Sequence, residues 1–180
     1  MSATIQEPSS ALQYQRAELK DTATLLTLSW KTFFEAFAKH NYPQDMEAYA
    51  QQYLTTQQLS TELQTTGSTF YFAVLSNEIV GYLKLNTGIA QKEFTEHNSL
   101  EVERLYVTSQ YQGKGLGSQM LQFAINKATS NNKDFIWLGV WEHNHPAIQL
   151  YKRIGFITCG SHDFMLGSDL QTDLLMKMLL

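Results

Sequence analysis

The passage from Leu100 to Ala128 constrains this chain most, because three patterns follow one another there without a break. Leu100 to Val107 alternates in polarity, as a half-buried strand does. Gln110-Tyr111-Gln112-Gly113-Lys114-Gly115-Leu116-Gly117 then sets glycine at every second position. Beyond it, Leu116, Met120, Leu121, Phe123, Ala124 and Ala128 recur at helical spacing. A strand that enters a helix through such a turn gathers successive backbone N–H groups into one concavity at the positive end of the helix. Glycine permits the positive φ and the close approach that a phosphate or pyrophosphate needs there, and Lys114 can screen the anion from the rim. An ordinary tight strand-to-helix connection is the plain alternative.

The rest of the chain supplies elements around this unit. A polar stretch, Met1 to Ser10, precedes a loosely alternating strand at Leu12 to Ala17. Asp21 or Thr22 can cap a helix carrying Leu25, Leu26, Trp30, Phe33, Phe34 and Phe37, broken at Asn41-Tyr42-Pro43. Two short helices follow, Asp45 to Leu54 and Thr56 to Leu63. Phe70 to Leu75 and Ile79 to Leu85 flank Ser76-Asn77-Glu78 as a hairpin, and Gly88 to Asn98 reads as a polar connector. Phe135 to Val140 is nearly continuous in apolar residues, as a central strand is. Pro146 opens a short helix that stops at Gly155, and strands around Phe156 to Met165 and Thr172 to Leu179 can close the chain as a second hairpin. This order predicts an α/β (α+β) domain on one sheet over residues 11–180, with 1–10 as a leader.

Composition narrows the function. Thirteen Lys+Arg against 17 Asp+Glu give a formal net charge of −4, a balance that repels a phosphate backbone and predicts no nucleic-acid partner. The start lacks a basic, apolar secretion signal, and no apolar run approaches the ~18 residues of a membrane span, so no membrane partner and a cytoplasmic location are expected. One cysteine, Cys159, allows no internal disulfide and no thiolate cluster. His143-x-His145 beside Glu142 has no further ligand at recognisable spacing, so no metal is expected. A monomer and a homodimer both fit.

Three phosphate-binding patterns compete for the glycines. A Walker loop needs Lys-Ser/Thr after its last glycine, whereas Ser118-Gln119 follows Gly117. The dinucleotide fingerprint needs G-x-G-x-x-G and an acidic residue at the end of the following strand, and Asp134 lies before that strand. Gln112-x-x-Gly115-x-Gly117 instead resembles the pyrophosphate motif of the GNAT superfamily of N-acetyltransferases. Asn144-x-x-Ala147-x-x-x-Tyr151-x-x-x-Gly155-Phe156 is similar to a second motif of that superfamily, in the right order and with a strand and a helix between. Leu100 to Val107, Ile136 to Glu142 and Gln171-Thr172-Asp173-Leu174 resemble the bacterial PaiA-type spermidine/spermine acetyltransferases, as do Thr32-Phe33 through Tyr49-Ala50 less distinctively.

That resemblance implies a mixed, mostly antiparallel sheet of about seven strands flanked by helices and splayed between the fourth and fifth. It implies acetyl-CoA as donor and an amine, a polyamine foremost, as acceptor, joined by direct attack in a ternary complex. Gln112, Gly113, Lys114, Gly115, Leu116, Gly117 and Ser118 would form the pyrophosphate turn. The backbone of Leu105, Tyr106 and Val107 would pair with the pantetheine like an added strand, and Asn144 would bond it further along, cap the next helix, or both. Tyr151 stands at the position that protonates the leaving thiolate. The attacking amine must also lose a proton. Glu101 and Glu103, two apart on one strand, share a face roughly 6.5–7 Å apart, and their repulsion can raise one pKa. Glu103 is taken as base or water-holder, with Glu101, Glu142 and Glu35 as amine-binding partners; exposed or ion-paired carboxylates are the alternative. Another amine (a peptide N-terminus, an amino sugar, an antibiotic) and a non-catalytic acyl-CoA-binding regulator are the rival functions.

Overall fold

The computed structural model describes residues 11–180, so the expected leader at 1–10 lies outside the described residues. Seven strands form one sheet: β1 (Gln13–Arg16), β2 (Ser68–Leu75), β3 (Glu78–Thr87), β4 (Ser99–Val107), β5 (Phe135–Trp141), β6 (Ile157–Leu166) and β7 (Asp169–Leu179). Their spatial order is β1-β2-β3-β4-β5-β7-β6. Every pairing is antiparallel except β4 with β5, so the mixed, mostly antiparallel sheet read from the sequence is present.

Five helices flank the sheet: α1 (Thr22–Phe37), α2 (Pro43–Tyr53), α3 (Thr56–Gln64), α4 (Leu116–Ser130) and α5 (His145–Ile154). Alternation along each strand divides the core. Leu83 and Leu85 of β3, Leu100 and Val102 of β4, and Leu138 and Val140 of β5 join Met120, Leu121 and Ala124 of α4 and Ile148 and Tyr151 of α5 in one cluster. Phe70, Phe72 and Val74 of β2 and Tyr82 of β3 point the other way, against Leu25 and Leu28 of α1 and Leu59 of α3. A third group, Phe33, Met46, Ala50 and Leu166, ties α1 and α2 to the far end of β6.

Local chemistry fixes the joints. Ser76 and Asn77 both take positive φ, 49° and 65°, which matches the twist of a two-residue hairpin between β2 and β3. Gly155, at φ +115°, ends α5. The connector between β3 and β4 departs from its expected polar role. Gln91 is 4% exposed, and its Oε1 accepts from Ser99 Oγ at 2.8 Å and Trp137 Nε1 at 2.7 Å. The Phe94 ring stands edge-on to Trp137, with centroids 5.2 Å apart. The connector is therefore docked on β5, through an amide and an aromatic ring that its polar neighbours disguise.

Candidate functional site

β4 and β5 are paired only at their starts, Ser99↔Phe135, Leu100↔Ile136 and Glu101↔Trp137. Beyond Glu101, β4 follows β3 to Val107 while β5 follows β7 to Trp141, so the edges they turn toward each other stay unpaired. This is the expected splay. It opens a cleft of about 660 Å³ whose wall includes Leu105, Tyr106, Leu138, Gly139, Val140, Asn144 and Tyr151. Unpaired backbone donors and acceptors facing a cleft are what an extended amide-bearing chain can pair with.

The glycine turn follows the free stretch of β4 and lies beyond the cleft wall. Gly113 and Gly115 take φ of +75° and +77°, and a Cβ at either would meet nothing within 4 Å. They are glycines for conformation and for an open concavity, not for close packing. Gly115 is the N-cap of α4 and offers no side chain, which leaves the first N–H groups of that helix without a side-chain cap. Gly117 has an ordinary φ and sits against Leu150 of α5, while Leu116 is buried and anchors the helix. Gln112 Nε2 donates to the Val107 carbonyl at 2.9 Å, and Lys114 Nζ lies 4.8 Å from the Tyr111 ring centroid. Two carboxylates brace the turn from outside. Glu78 accepts from Tyr111 Oη at 2.7 Å and Gln110 Nε2 at 2.9 Å, and Glu35 accepts from Ser109 N at 2.9 Å and Oγ at 2.8 Å. The turn's residues, Gln112 through Ser118, fit a diphosphate: open N–H groups, no Cβ in the way, and one lysine at the rim.

On the opposite wall, Asn144 caps α5 by accepting from Ala147 N at 3.3 Å, which leaves its NH₂ free for a ligand. Two helical turns later, Tyr151 is 8% exposed and packs on Phe156. Among the described residues its hydroxyl has no hydrogen-bond partner, and burial pushes its pKa up to about 12. The phenol is thus held protonated at the cleft wall.

The end of the cleft away from the glycine turn is built on a β-bulge. The β3–β4 register passes from Lys84↔Arg104 to Leu85↔Val102, so Glu103 is an extra residue in β4. The bulge brings Glu103 and Arg104 to the same side, toward Glu62 of α3. Lys84 Nζ lies 2.6 Å from Glu103 and 2.9 Å from Glu62, Lys92 Nζ lies 3.3 Å from Glu103, and Arg104 Nη2 lies 3.0 Å from Glu62. Asn86 Nδ2 donates to both Glu101 and Glu103, at 2.9 and 2.6 Å.

This network sets the two glutamates apart. Burial alone would raise Glu103, but the Arg104, Lys92 and Lys84 charges hold it down to about 2. A carboxylate so paired is a poor proton acceptor at neutral pH. Burial pushes Glu101 up to about 7 against the pull of its Asn86 hydrogen bond, yet Glu101 is 2% exposed and lies behind the cleft wall. The ion-paired alternative holds for Glu103. Glu35, committed to Ser109, and Glu142, 3.9 Å from His143, are also off the wall. Asp45 of α2 serves the β6–β7 turn, accepting from Ser168 N at 2.7 Å and Oγ at 2.9 Å.

Among the groups on the wall that sequence reasoning missed are His162 of β6 and Asp173 of β7, which are register partners. Counting outward from the Gly167-Ser168 turn would have paired them. Trp137 is buried as expected of a core residue, and Trp141 forms the rim, edge-on to Phe37 at 6.2 Å. Among the described residues no group of three or more His, Cys, Asp or Glu is placed to hold a metal, and no helix is long and apolar enough to cross a membrane.

Comparison with known proteins agrees with this geometry. The model of the acetyltransferase (GNAT) family matches residues 23–156. An uncharacterized N-acetyltransferase encoded in the pepI 3′ region of Lactobacillus delbrueckii subsp. lactis is 40% identical over 158 residues, covering 88% of this chain and 91% of that protein. The spermine/spermidine N(1)-acetyltransferase of Bacillus subtilis is 33% identical over 88 residues, 48% of this chain and 58% of its own. In fold, the crystal structure of a PaiA N-acetyltransferase from Thermoplasma acidophilum in complex with coenzyme A superposes with a TM-score of 0.75 at 17% identity, covering 94% of this chain and 99% of that one. An open β4–β5 gap, a glycine turn at its end and a match across most of the chain give one conclusion: this protein belongs to the GNAT family of acetyltransferases.

Proposed function

We propose that this chain transfers an acetyl group from acetyl-CoA to a primary amine of a small molecule, a polyamine foremost, by direct attack in a ternary complex. The observation that carries the reading is the unpaired edge of β4 from Val102 to Val107, which leads to the glycine turn at one end and faces Tyr151 across the cleft. Gln112 through Ser118 would hold the diphosphate, and Leu105, Tyr106, Val107 and Asn144 the pantetheine amides. Acetyl-CoA supplies the activated acyl group; the chain positions it, excludes water and manages protons.

Tyr151 would donate to the departing sulfur. Its raised pKa does not forbid this, because the burial that raises a phenol also raises a thiol beside it. Cys159 lies on the edge strand β6, off the cleft wall, which supports direct attack over an acetyl-enzyme. Glu103 would act as a fixed anion that orients Lys84 and Arg104, and Glu101 as a buried part of the same network.

For the acceptor, Asp173 on the wall, outside the Glu62–Glu103 ion-pair network, favours a cation, and the B. subtilis relative is named for spermine and spermidine. A second acceptor, an amine bearing a carboxylate, is favoured by Lys92, whose side chain is 59% exposed on the same wall. The test is thiol release from acetyl-CoA with spermidine, spermine, L-aspartate, glucosamine and an alanyl peptide in parallel. Release with spermidine or spermine supports the first acceptor and release with L-aspartate the second. No release with any amine overturns the enzymatic reading.

A further inference from the structure

His162 is a half-buried ionisable ring on the cleft wall, its side chain 28% exposed, that neither acetyl-CoA binding nor Tyr151 accounts for. It belongs to β6, the sheet edge, and stands opposite Asp173 of β7, which in turn stands opposite Trp141 of β5. Trp141, Asp173 and His162 therefore form one row running from the β4–β5 gap to the sheet edge, and all three line the cleft. His162 Nε2 lies 3.8 Å from Asp173 Oδ2, and Nδ1 lies 3.6 Å from Glu93 Oε1 in the connector. Both separations exceed a hydrogen bond. Among the described residues the ring makes no hydrogen bond, and Nδ1 is buried without a partner. A histidine that merely stitched the hairpin together would be bonded; this one is bracketed by two carboxylates and left free.

Gly139 completes the arrangement. It lies on the β5 edge that lines the gap, and a Cβ there would come 3.4 Å from Asp173 Oδ2. The missing side chain keeps the way open from the gap to this carboxylate. Asp173 is buried enough for its carboxyl pKa to be raised, against the pull of His162 and Lys92.

We propose that His162 accepts the proton of the incoming ammonium, with Asp173 as its positioning partner and as the anion that receives the cationic acceptor. This rests on the acetyltransferase reading and names the base that Glu103, locked in ion pairs, does not provide. The ammonium gives one proton to Nε2, which passes it to solvent. The neutral nitrogen then bonds to the acetyl carbon as the C–S bond breaks. Sulfur takes the Tyr151 proton, and the second proton lost by nitrogen restores Tyr151 through solvent. The charged groups beside His162 are Asp173 from β7 and Glu93 from the connector, and Lys92 of the same connector acts on Asp173.

The experiment is the pH profile of kcat/KM for the wild type, His162→Gln, Asp173→Asn and Glu101→Gln, with the most active amine of the panel above. The wild type is expected to lose activity toward acid, as an enzyme whose base must be unprotonated does. His162→Gln should fall about 100-fold at neutral pH and lose that limb, with its affinity for acetyl-CoA unchanged. Asp173→Asn should raise KM for the cationic amine about 10-fold with acetyl-CoA affinity unchanged, because the site loses the anion that receives it; this keeps the proposal testable if His162→Gln does not fold. A limb that persists in His162→Gln and disappears in Glu101→Gln overturns the proposal and leaves the acetyltransferase reading standing. A wild type that turns over none of the amines overturns both.

Discussion

The donor and acceptor halves of the cleft are made of different material. On the donor side the groups that would meet a ligand belong to the main chain: the unpaired edge of β4, the N–H groups around Gly113 and Gly115, and the start of α4. On the acceptor side they are side chains gathered from α3, β4, the connector, β6 and β7, with charges largely balanced among themselves. A backbone site depends on where a strand loses its partner and where a turn needs glycine, so it tolerates many sequences. A side-chain site depends on each residue and can change its acceptor while the fold stays the same.

This contrast predicts how each half fails. Tyr151 joins the two halves, and Tyr151→Phe should lower kcat by about 100- to 1,000-fold with little change in acetyl-CoA affinity, read by steady-state kinetics and calorimetry. Equal turnover would remove the tyrosine from proton transfer.

On the acceptor side the glutamates should act on stability, with opposite pH dependence. Glu103, held down to about 2, contributes stability that is present above the ordinary carboxylate range and lost only as pH falls toward 2. Glu103→Gln should therefore cost about 3 kcal/mol at neutral pH, in urea unfolding, by leaving buried cations unpaired. Glu101, pushed up to about 7, contributes stability that is present at low pH and lost as pH rises through 7. Glu101→Gln should thus gain on the wild type between pH 5 and pH 8. Parallel pH curves for the two variants would contradict the network. On the donor side, Gly115→Val strains a φ of +77° and fills the concavity. It should weaken acetyl-CoA binding about 10- to 30-fold, by calorimetry, while leaving the acceptor's pH profile unchanged.

The same contrast explains what could be read before the structure. Gln112-x-x-Gly115-x-Gly117 and Asn144 through Phe156 announce the donor half because their spacing is local: one turn, one helix, one cap. The splay itself is visible only in the register, where β4 and β5 part after Glu101↔Trp137. The acceptor half was misread at Glu103, since the sequence shows two carboxylates at alternate positions but not the bulge that brings Arg104 and Lys84 to them. Glu35 and Asp45 look like free carboxylates on helices near a cleft, and both turn out to hold loops, at Ser109 and Ser168, far away in sequence. His162 and Asp173 were available as a pair to anyone counting outward from Gly167-Ser168, but nothing local marked Asp173 as a neighbour of Gly139.

The central claim is that the pantetheine arm pairs with the edge that β4 presents to the gap. Amide hydrogen exchange across Val102 to Val107, followed with and without coenzyme A, tests it most directly. The account predicts that amides in this stretch not already bonded to β3 slow markedly when coenzyme A is added, together with those of Gly113 to Gly117. Exchange that is unchanged on β4 while coenzyme A is bound would place the ligand elsewhere and contradict the account.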